Sequence, residues 1–299
     1  MKKRLLITGI NGMLGQNLVK EYSKDYMISG IDLNPGIYPT HSDIRVTQLD
    51  LNDSTAVNQH IMQVHPHALI HTAAYTNVDR AEAEREVAFA VNAAVPALLA
   101  DLCLELDIPM IHISTDYVFD GQKGPYAESD PCHPHGSYAE SKYAGEKAVL
   151  DSGAKVIVVR PNVMYGHGVD LKSSFVDWLV KELRGNNPVN IVDDQYNNPT
   201  YARRLSQVIR KLLERDAWGI WHFGSKEVIS RYSFALKIAD NFGLPSELIN
   251  AISTGDLNQR APRPMRSGLI CEKVKRELGI NILSIGEELA LLKEEMDVR

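Results

Sequence analysis

Tyr138 and Lys142, in the stretch SYAESKYAGE, stand four residues apart on a segment with helical periodicity, so both side chains leave one face and enter the same cleft. A neutral phenol, with an ordinary pKa of about 10, can give its proton to a carbonyl oxygen that is receiving a hydride. A neighbouring ammonium eases formation of the phenolate and can also hydrogen-bond a ribose. Taken alone, such a pair is common by chance and usually marks a solvated helix face. The stretch STDYVFDG, Ser114 to Gly121, adds hydroxyl, carboxylate and phenol groups just after the apolar run IPMIHI, which reads as a buried strand. Ser114 and Thr115 therefore lie at the C-terminal end of a parallel strand, the edge at which open α/β sheets bind ligands, with Asp116 next as a substrate-side candidate, and a Thr115 hydroxyl there can orient the same carbonyl.

A second constellation lies near the N-terminus. Gly9, Gly12 and Gly15 in TGINGMLG follow the first predicted strand and open a helix, with Asn11, Met13 and Leu14 between them. A tight turn without Cβ atoms lets backbone N–H groups and a helix N-terminus meet a pyrophosphate. The alternative is a glycine-rich turn with no ligand. Asp32 ends the second predicted strand, 17 residues after Gly15, where a carboxylate accepts hydrogen bonds from ribose hydroxyls and repels a 2′-phosphate. That favours NADH over NADPH, although an Asp in DLNPG also suits a simple turn. Asp50 and Leu51, after the third strand, are weaker candidates for the adenine side.

The elements that must position these residues alternate. Short apolar runs (RLLITGI, YMISGID, VTQLDL, HALIHTAAY, PMIHIS, AKVIVVRP) are separated by helical stretches near 14–22, 56–64, 86–106 and 138–150. Strand–helix–strand order predicts a Rossmann-type, doubly wound parallel sheet. Beyond Pro161 the pattern loosens into Asn/Gly/Pro-rich turns and helices near 173–183, 202–213 and 230–243. We expect a dinucleotide-binding domain over 1–163 and a smaller substrate-binding lobe over 164–299, partly interleaved because a strand near 219–223 returns to the main sheet.

Composition narrows the function classes. With 299 residues and 44% hydrophobic content the chain can bury a large core. Its 32 Lys and Arg against 38 Asp and Glu, spread without a basic stripe, give a net charge of -6 and speak against nucleic acid. Cys103, Cys132 and Cys271 are scattered outside any CxxC spacing and fit a reducing compartment. No apolar run is expected to be long enough for a membrane span, and no signal peptide is evident, so a cytoplasmic protein is expected. His65/His67 and His133/His135 lack the further ligands of a metal site and read as loop residues.

Together, Gly9/Gly12/Gly15, Thr115, Tyr138 and Lys142 resemble the extended short-chain dehydrogenase/reductases. AAYTNVDRAE, STDYVFDG, SYAESKYAGEKAV, DQYNNPT and RPMRS resemble in particular the branch of dTDP-4-dehydrorhamnose reductases. The resemblance implies NAD(P)H-dependent reduction of a nucleotide-linked 4-keto sugar, with Thr115, Tyr138 and Lys142 as the catalytic set. It places Ala73, Ala74 and Tyr75 along the cofactor, Thr76, Val78 and Asp79 near the substrate, and Asn92 in support of the site. The family includes magnesium-assisted dimers, so the resemblance also implies a homodimer and a magnesium ion at its interface, with no residue of this chain singled out as a ligand. Sugar 4,6-dehydratases of similar fold carry an acidic pair, whereas here Tyr117 follows Asp116, which favours simple reduction. Val163 stands where those reductases carry an aromatic residue against the sugar. Arg263 and Arg266 are candidates for a diphosphate, or are merely solvated. Two other outcomes stay open: a reductase or epimerase of another nucleoside-diphosphate sugar, and a dinucleotide-binding regulatory subunit similar to the beta subunit of methionine adenosyltransferase.

Overall fold

The computed structural model describes residues 2–34, 36–38 and 44–297; Pro35 of the DLNPG turn lies outside them. Strands β1 (Lys3–Thr8), β2 (Tyr26–Asp32), β3 (Ile44–Gln48), β4 (Ala68–His71), β5 (Met110–Ile113) and β6 (Val156–Pro161) join the strand Gly219–Phe223 in one seven-stranded sheet. All its pairings are parallel, in the order 219–223, β6, β5, β4, β1, β2, β3. Strands β4, β5 and β6 are buried at every position, as strands covered on both faces must be. The chain winds outward from β1 to β3, then returns to the other side of β1 with β4. A crevice therefore opens at the C-terminal ends of β1 and β4, where ligands bind in such sheets.

Helices α1 (Met13–Tyr22), α2 (Ser54–Val64), α3 (Val78–Ala81), α4 (Arg85–Phe89), α5 (Val95–Glu105) and α6 (Ser137–Asp151) connect these strands. On one face Leu5, Ile7, Ile70 and Ile111 pack against Leu14 and Leu18 of α1 and Leu205 and Ile209 of the helix Ala202–Glu214. On the other, Leu6, Leu69, Met110 and Val158 pack against α2 and α5. The single helix expected over 86–106 is instead α4, one π turn at Ala90–Ala94, and α5, a widening that turns Asn92 inward. The continuous run Arg85–Glu105 is, contrary to the expectation from sequence, long and apolar enough to cross a membrane by length and composition. Here Val95, Leu99, Ala100, Leu102 and Cys103 face the core, and the run serves as a core helix.

A separate apolar core builds the smaller lobe. Helices Phe175–Arg184, Arg231–Phe242 and Ile285–Asp297 pack Leu179, Val180, Phe234, Ile238, Leu289 and Leu292 around the parallel pair Val189–Val192 and Ile249–Ile252. The chain leaves this lobe to form Gly219–Phe223 beside β6, then returns to it.

Glu288 is buried in that lobe at 1% exposure and accepts the Tyr165 hydroxyl at 2.9 Å. Burial pushes its carboxyl up to about 8, against the opposing effects of the Tyr165 bond and the Arg204 charge. The folded chain thus holds a proton that the unfolded chain releases at an ordinary carboxylate pKa. This contribution to stability is fully present below about 4.5 and is lost as pH rises to about 8. Glu288→Gln is expected to raise the Tm at pH 8, by an amount on the order of 3 kcal/mol in stability, and to do so progressively less toward pH 5. Thermal unfolding across that range checks it; a gain that does not vary with pH would assign the effect to packing.

Candidate active site

Gly136, in the left-handed region at φ +88°, turns the chain into α6, and Ser137 N–H donates to Glu82 Oε1 at 2.7 Å. From this helix Tyr138 faces the cleft, while Lys142, 3% exposed, reaches under the end of β5 and donates from Nζ to the Ile113 carbonyl at 2.6 Å. Burial pushes Lys142 down to about 8, with the Glu146 carboxylate opposing. Burial pushes the Tyr138 phenol well above its ordinary value; Asp116 and Tyr117 add to this and the Thr115 hydroxyl acts against it. At neutral pH the phenol keeps its proton, beside a lysine that is still mostly charged.

Thr115 accepts the Tyr117 N–H at 3.3 Å and donates to Asp116 Oδ1 at 3.2 Å. Asp116 is 2% exposed, and burial pushes its carboxyl up to about 6, against Ser267, Thr115 and Arg231. The Tyr117 ring stands edge-on to Tyr138, centroids 5.6 Å apart. Thr76, Val78, Thr115, Asp116, Tyr138 and Val163 line one cleft of about 280 Å³. Ser114, Tyr117, Asn162 and Met164, not singled out as substrate contacts from the sequence, complete much of its wall. A larger, more open hollow of about 440 Å³ lies in the smaller lobe near Asp194 and Asp256. Those carboxylates are engaged locally by Thr254 and Ser253.

The glycine turn forms a cradle that a Cβ would fill. Gly9 has φ +70° and lies against the Ala73 backbone, where an added Cβ would come within 2.7 Å of Ala73 N. A Cβ on Gly15 would meet Gly9 O at 2.3 Å and Ile10 O at 2.6 Å. Gly12 caps α1 without a side-chain hydrogen bond, leaving the first turn, at Met13 and Leu14, to present backbone N–H groups. Asn11 Oδ1 is buried there without a partner among the described residues. Asp32 accepts Asn11 N–H at 3.0 Å and Asn34 N–H at 3.2 Å, so it holds the turn while keeping lone pairs free for a ribose. These groups fit a dinucleotide. Asp50 is exposed and closes a turn on Asn52, and Leu51 packs in the core.

Ala73 and Ala74 lead from β4 to Tyr75, whose N–H and C=O are both bonded by Asn92, at 2.9 and 3.0 Å. Asn92 also donates to Ser141 Oγ at 3.0 Å, tying that segment to α6. Asp79 and Arg263 meet each other instead of lining the cleft: their ion pair is 2.7 Å long, and Asp79 also takes the Ala261 N–H. This latch holds the strap Ala261–Ser267, which is bonded through Arg266 N–H to Gly121 O and through Met265 O to Tyr196 N–H. Arg266 stacks over the Tyr196 ring at 5.1 Å. Arg231, given no role from sequence, is the cation acting on both Asp116 and Tyr117. Among the described residues no group of three or more His, Cys, Asp or Glu is placed to hold a metal ion. Gly15→Ala is expected to destabilise the fold by more than about 2 kcal/mol and to abolish dinucleotide binding; thermal unfolding and cofactor titration read the two effects.

The family described as the RmlD substrate binding domain matches residues 2–297. A dTDP-4-dehydrorhamnose reductase of Aggregatibacter actinomycetemcomitans is 32% identical over 93% of this chain and 94% of its own. Methionine adenosyltransferase 2 subunit beta of Xenopus laevis is 32% identical over 92% of this chain and 82% of its own. The structure of a Bacillus anthracis dTDP-4-dehydrorhamnose reductase in complex with NADP superimposes with a TM-score of 0.90 at 30% identity, over 99% of this chain and 100% of that one. The chain belongs to the RmlD substrate binding domain family.

Proposed function

We propose that this family member is an NAD(P)H-dependent oxidoreductase that reduces the C4 keto group of a nucleotide-linked 6-deoxy sugar, converting dTDP-4-dehydrorhamnose to dTDP-L-rhamnose. The observation that carries the reading is the convergence in one cleft of a protonated Tyr138 phenol and the Thr115 hydroxyl, with the Lys142 ammonium behind them. The cleft lies at the strand ends beside the glycine cradle. When bound, the reduced nicotinamide supplies a hydride to C4. Tyr138 gives its hydroxyl proton to the C4 oxygen as the carbonyl becomes an alcohol, and Thr115 orients that oxygen. The charge of Lys142 lowers the energy of the phenolate left behind, which then takes a proton from solvent. Gly9, Gly12, Gly15 and the α1 N-terminus would hold the pyrophosphate, and Asp32 a ribose.

With Tyr117 where a dehydratase has its second acid, Asp116 lacks a partner for eliminating water. A reductase or epimerase of another nucleoside-diphosphate sugar is the nearest alternative, favoured by the small Val163 in the cleft wall. The resemblance to the methionine adenosyltransferase beta subunit supports a regulatory reading, in which the cleft binds a dinucleotide while the chain serves a partner enzyme. Retention of Thr115, Tyr138 and Lys142 keeps that reading second. The setting we propose is a cytoplasmic homodimer. Val87, Leu104 and Leu150, at 48%, 50% and 37% exposure on α4, α5 and α6, supply apolar surface for such a contact.

Oxidation of NADH and of NADPH with dTDP-4-dehydro-6-deoxy-L-lyxo-hexose, followed at the nicotinamide absorbance, tests the reaction. Product other than dTDP-L-rhamnose, or no oxidation, would reassign the sugar or the catalysis. Tyr138→Phe is expected to lower kcat by about 10²–10⁴-fold while leaving cofactor affinity intact; retained turnover would remove Tyr138 as the proton donor. The Asp32 carboxylate supports a preference for NADH, so Asp32→Ala should move the ratio of kcat/KM values toward NADPH. An unaltered ratio counts against its ribose role.

A further inference from the structure

Glu146 takes no part in the proton transfer above, yet it is 1% exposed and continues the stripe of Tyr138 and Lys142 along α6 at i, i+4 and i+8. Its Oε2 accepts the Ser114 hydroxyl at 2.6 Å and the Arg160 Nε at 3.0 Å, and its Oε1 accepts the other arm of the Arg160 guanidinium. Arg160, on β6 and 2% exposed, lies over the Phe119 ring at 5.1 Å, donates to Cys132 Sγ at 3.2 Å and meets His222 Nε2 at 3.3 Å. One ion pair therefore touches α6, the ends of β5 and β6, the returning strand Gly219–Phe223 and the turn that follows Thr115. Burying two ions carries a desolvation cost that an apolar pair of similar size avoids, so stability alone does not account for it.

We propose that Glu146 and Arg160 are positioning residues for the proton transfer, clamping the end of β5 to α6 so that the Thr115 hydroxyl, the Tyr138 phenol and the Lys142 ammonium stay in register. The inference rests on the ketoreductase reading above. Two consecutive residues of the strand end are tied to one helix: Ile113 through Lys142, and Ser114 through Glu146. Thr115 follows directly, so its hydroxyl is aimed by both ties. A shift of about 1 Å at such a point is enough to cost on the order of a hundredfold in rate. The same carboxylate opposes the effect of burial on Lys142. The other titratable groups facing Lys142 are His71 on β4 and His112 on β5, stacked with ring centroids 5.5 Å apart. Burial and the Lys142 charge keep both neutral, so neither helps to hold the ammonium.

The test compares Ser114→Ala, Glu146→Gln and the double variant Glu146→Gln/Arg160→Met with the wild type. It uses the NADH and NADPH assays with dTDP-4-dehydro-6-deoxy-L-lyxo-hexose across pH, together with thermal unfolding and cofactor titration. Ser114→Ala, which removes the tie to the strand and a hydroxyl of the cleft wall, is expected to lower kcat about 3–10-fold with KM little changed, where a lost substrate contact would instead raise KM. The double variant, which leaves neither member of the Glu146–Arg160 pair buried alone, is expected to unfold near the wild-type Tm yet lose at least about 30-fold in kcat, with KM and cofactor affinity within about threefold. The alkaline limb of its kcat profile should move to lower pH, because Lys142 has lost its carboxylate. A merely structural pair would instead give losses that follow Tm and a pH profile that does not move. That result, or full kcat in both Ser114→Ala and the double variant, overturns the proposal. Should Glu146→Gln or the double variant fail to fold, Ser114→Ala decides alone. No turnover by the wild type overturns the ketoreductase reading and this inference with it, whereas wild-type turnover with unaltered variants overturns this inference only.

Discussion

An ammonium group shut away from water dominates the arrangement. Lys142 is 3% exposed, and each element around it answers to the need to keep it charged and still. The Ile113 carbonyl at the end of β5 accepts one of its protons, which requires α6 to cross that strand end closely. Gly145 permits the helix to approach: a Cβ there would meet the Asn92 carbonyl at 1.9 Å. The π turn that carries Asn92 sits opposite, and its side chain spends its hydrogen bonds on Tyr75 and Ser141. The phenol, the amine and the segment that ends at Tyr75 are thereby fixed to one another through contacts that a flexible surface helix could not supply.

What the sequence made legible is what short-range spacing encodes. Tyr138 and Lys142 share a helix face because they are four residues apart, and Gly9, Gly12 and Gly15 form a turn because they interrupt a strand-to-helix junction. Glu146 was within the same reach, since the stripe simply continues by four residues in SYAESKYAGE, but its meaning depends on Arg160 and Ser114 arriving from other strands. Periodicity also located the main strands and helices; it could not show the π turn, because one extra residue per turn leaves a run of small apolar residues looking regular.

Other parts of the site are set by tertiary approach and left no local trace. Arg263 and Asp79 lie far apart in the chain, and their ion pair is announced by no local spacing. The Arg231 charge acts on Asp116 and Tyr117 from a helix of the smaller lobe, more than a hundred residues along the chain. Asp50, an exposed carboxylate after a strand that matches the pattern of a nucleotide contact, also closes a local turn on Asn52 through one oxygen. Asp and Asn serve both purposes, and only the direction of the side chain tells them apart.

The strand Gly219–Phe223 ends the sheet beside β6, after the chain has already built part of the second core. A polypeptide cut after β6 would therefore expose a long hydrophobic edge with unpaired N–H and C=O groups, and the remaining piece would carry an orphan strand. The lobes are consequently not exchangeable modules that recombination could swap at a single junction. New sugar specificities on this scaffold would have to arise by substitutions and loop changes within an intact chain, with the hydride-transfer half preserved as its inseparable companion.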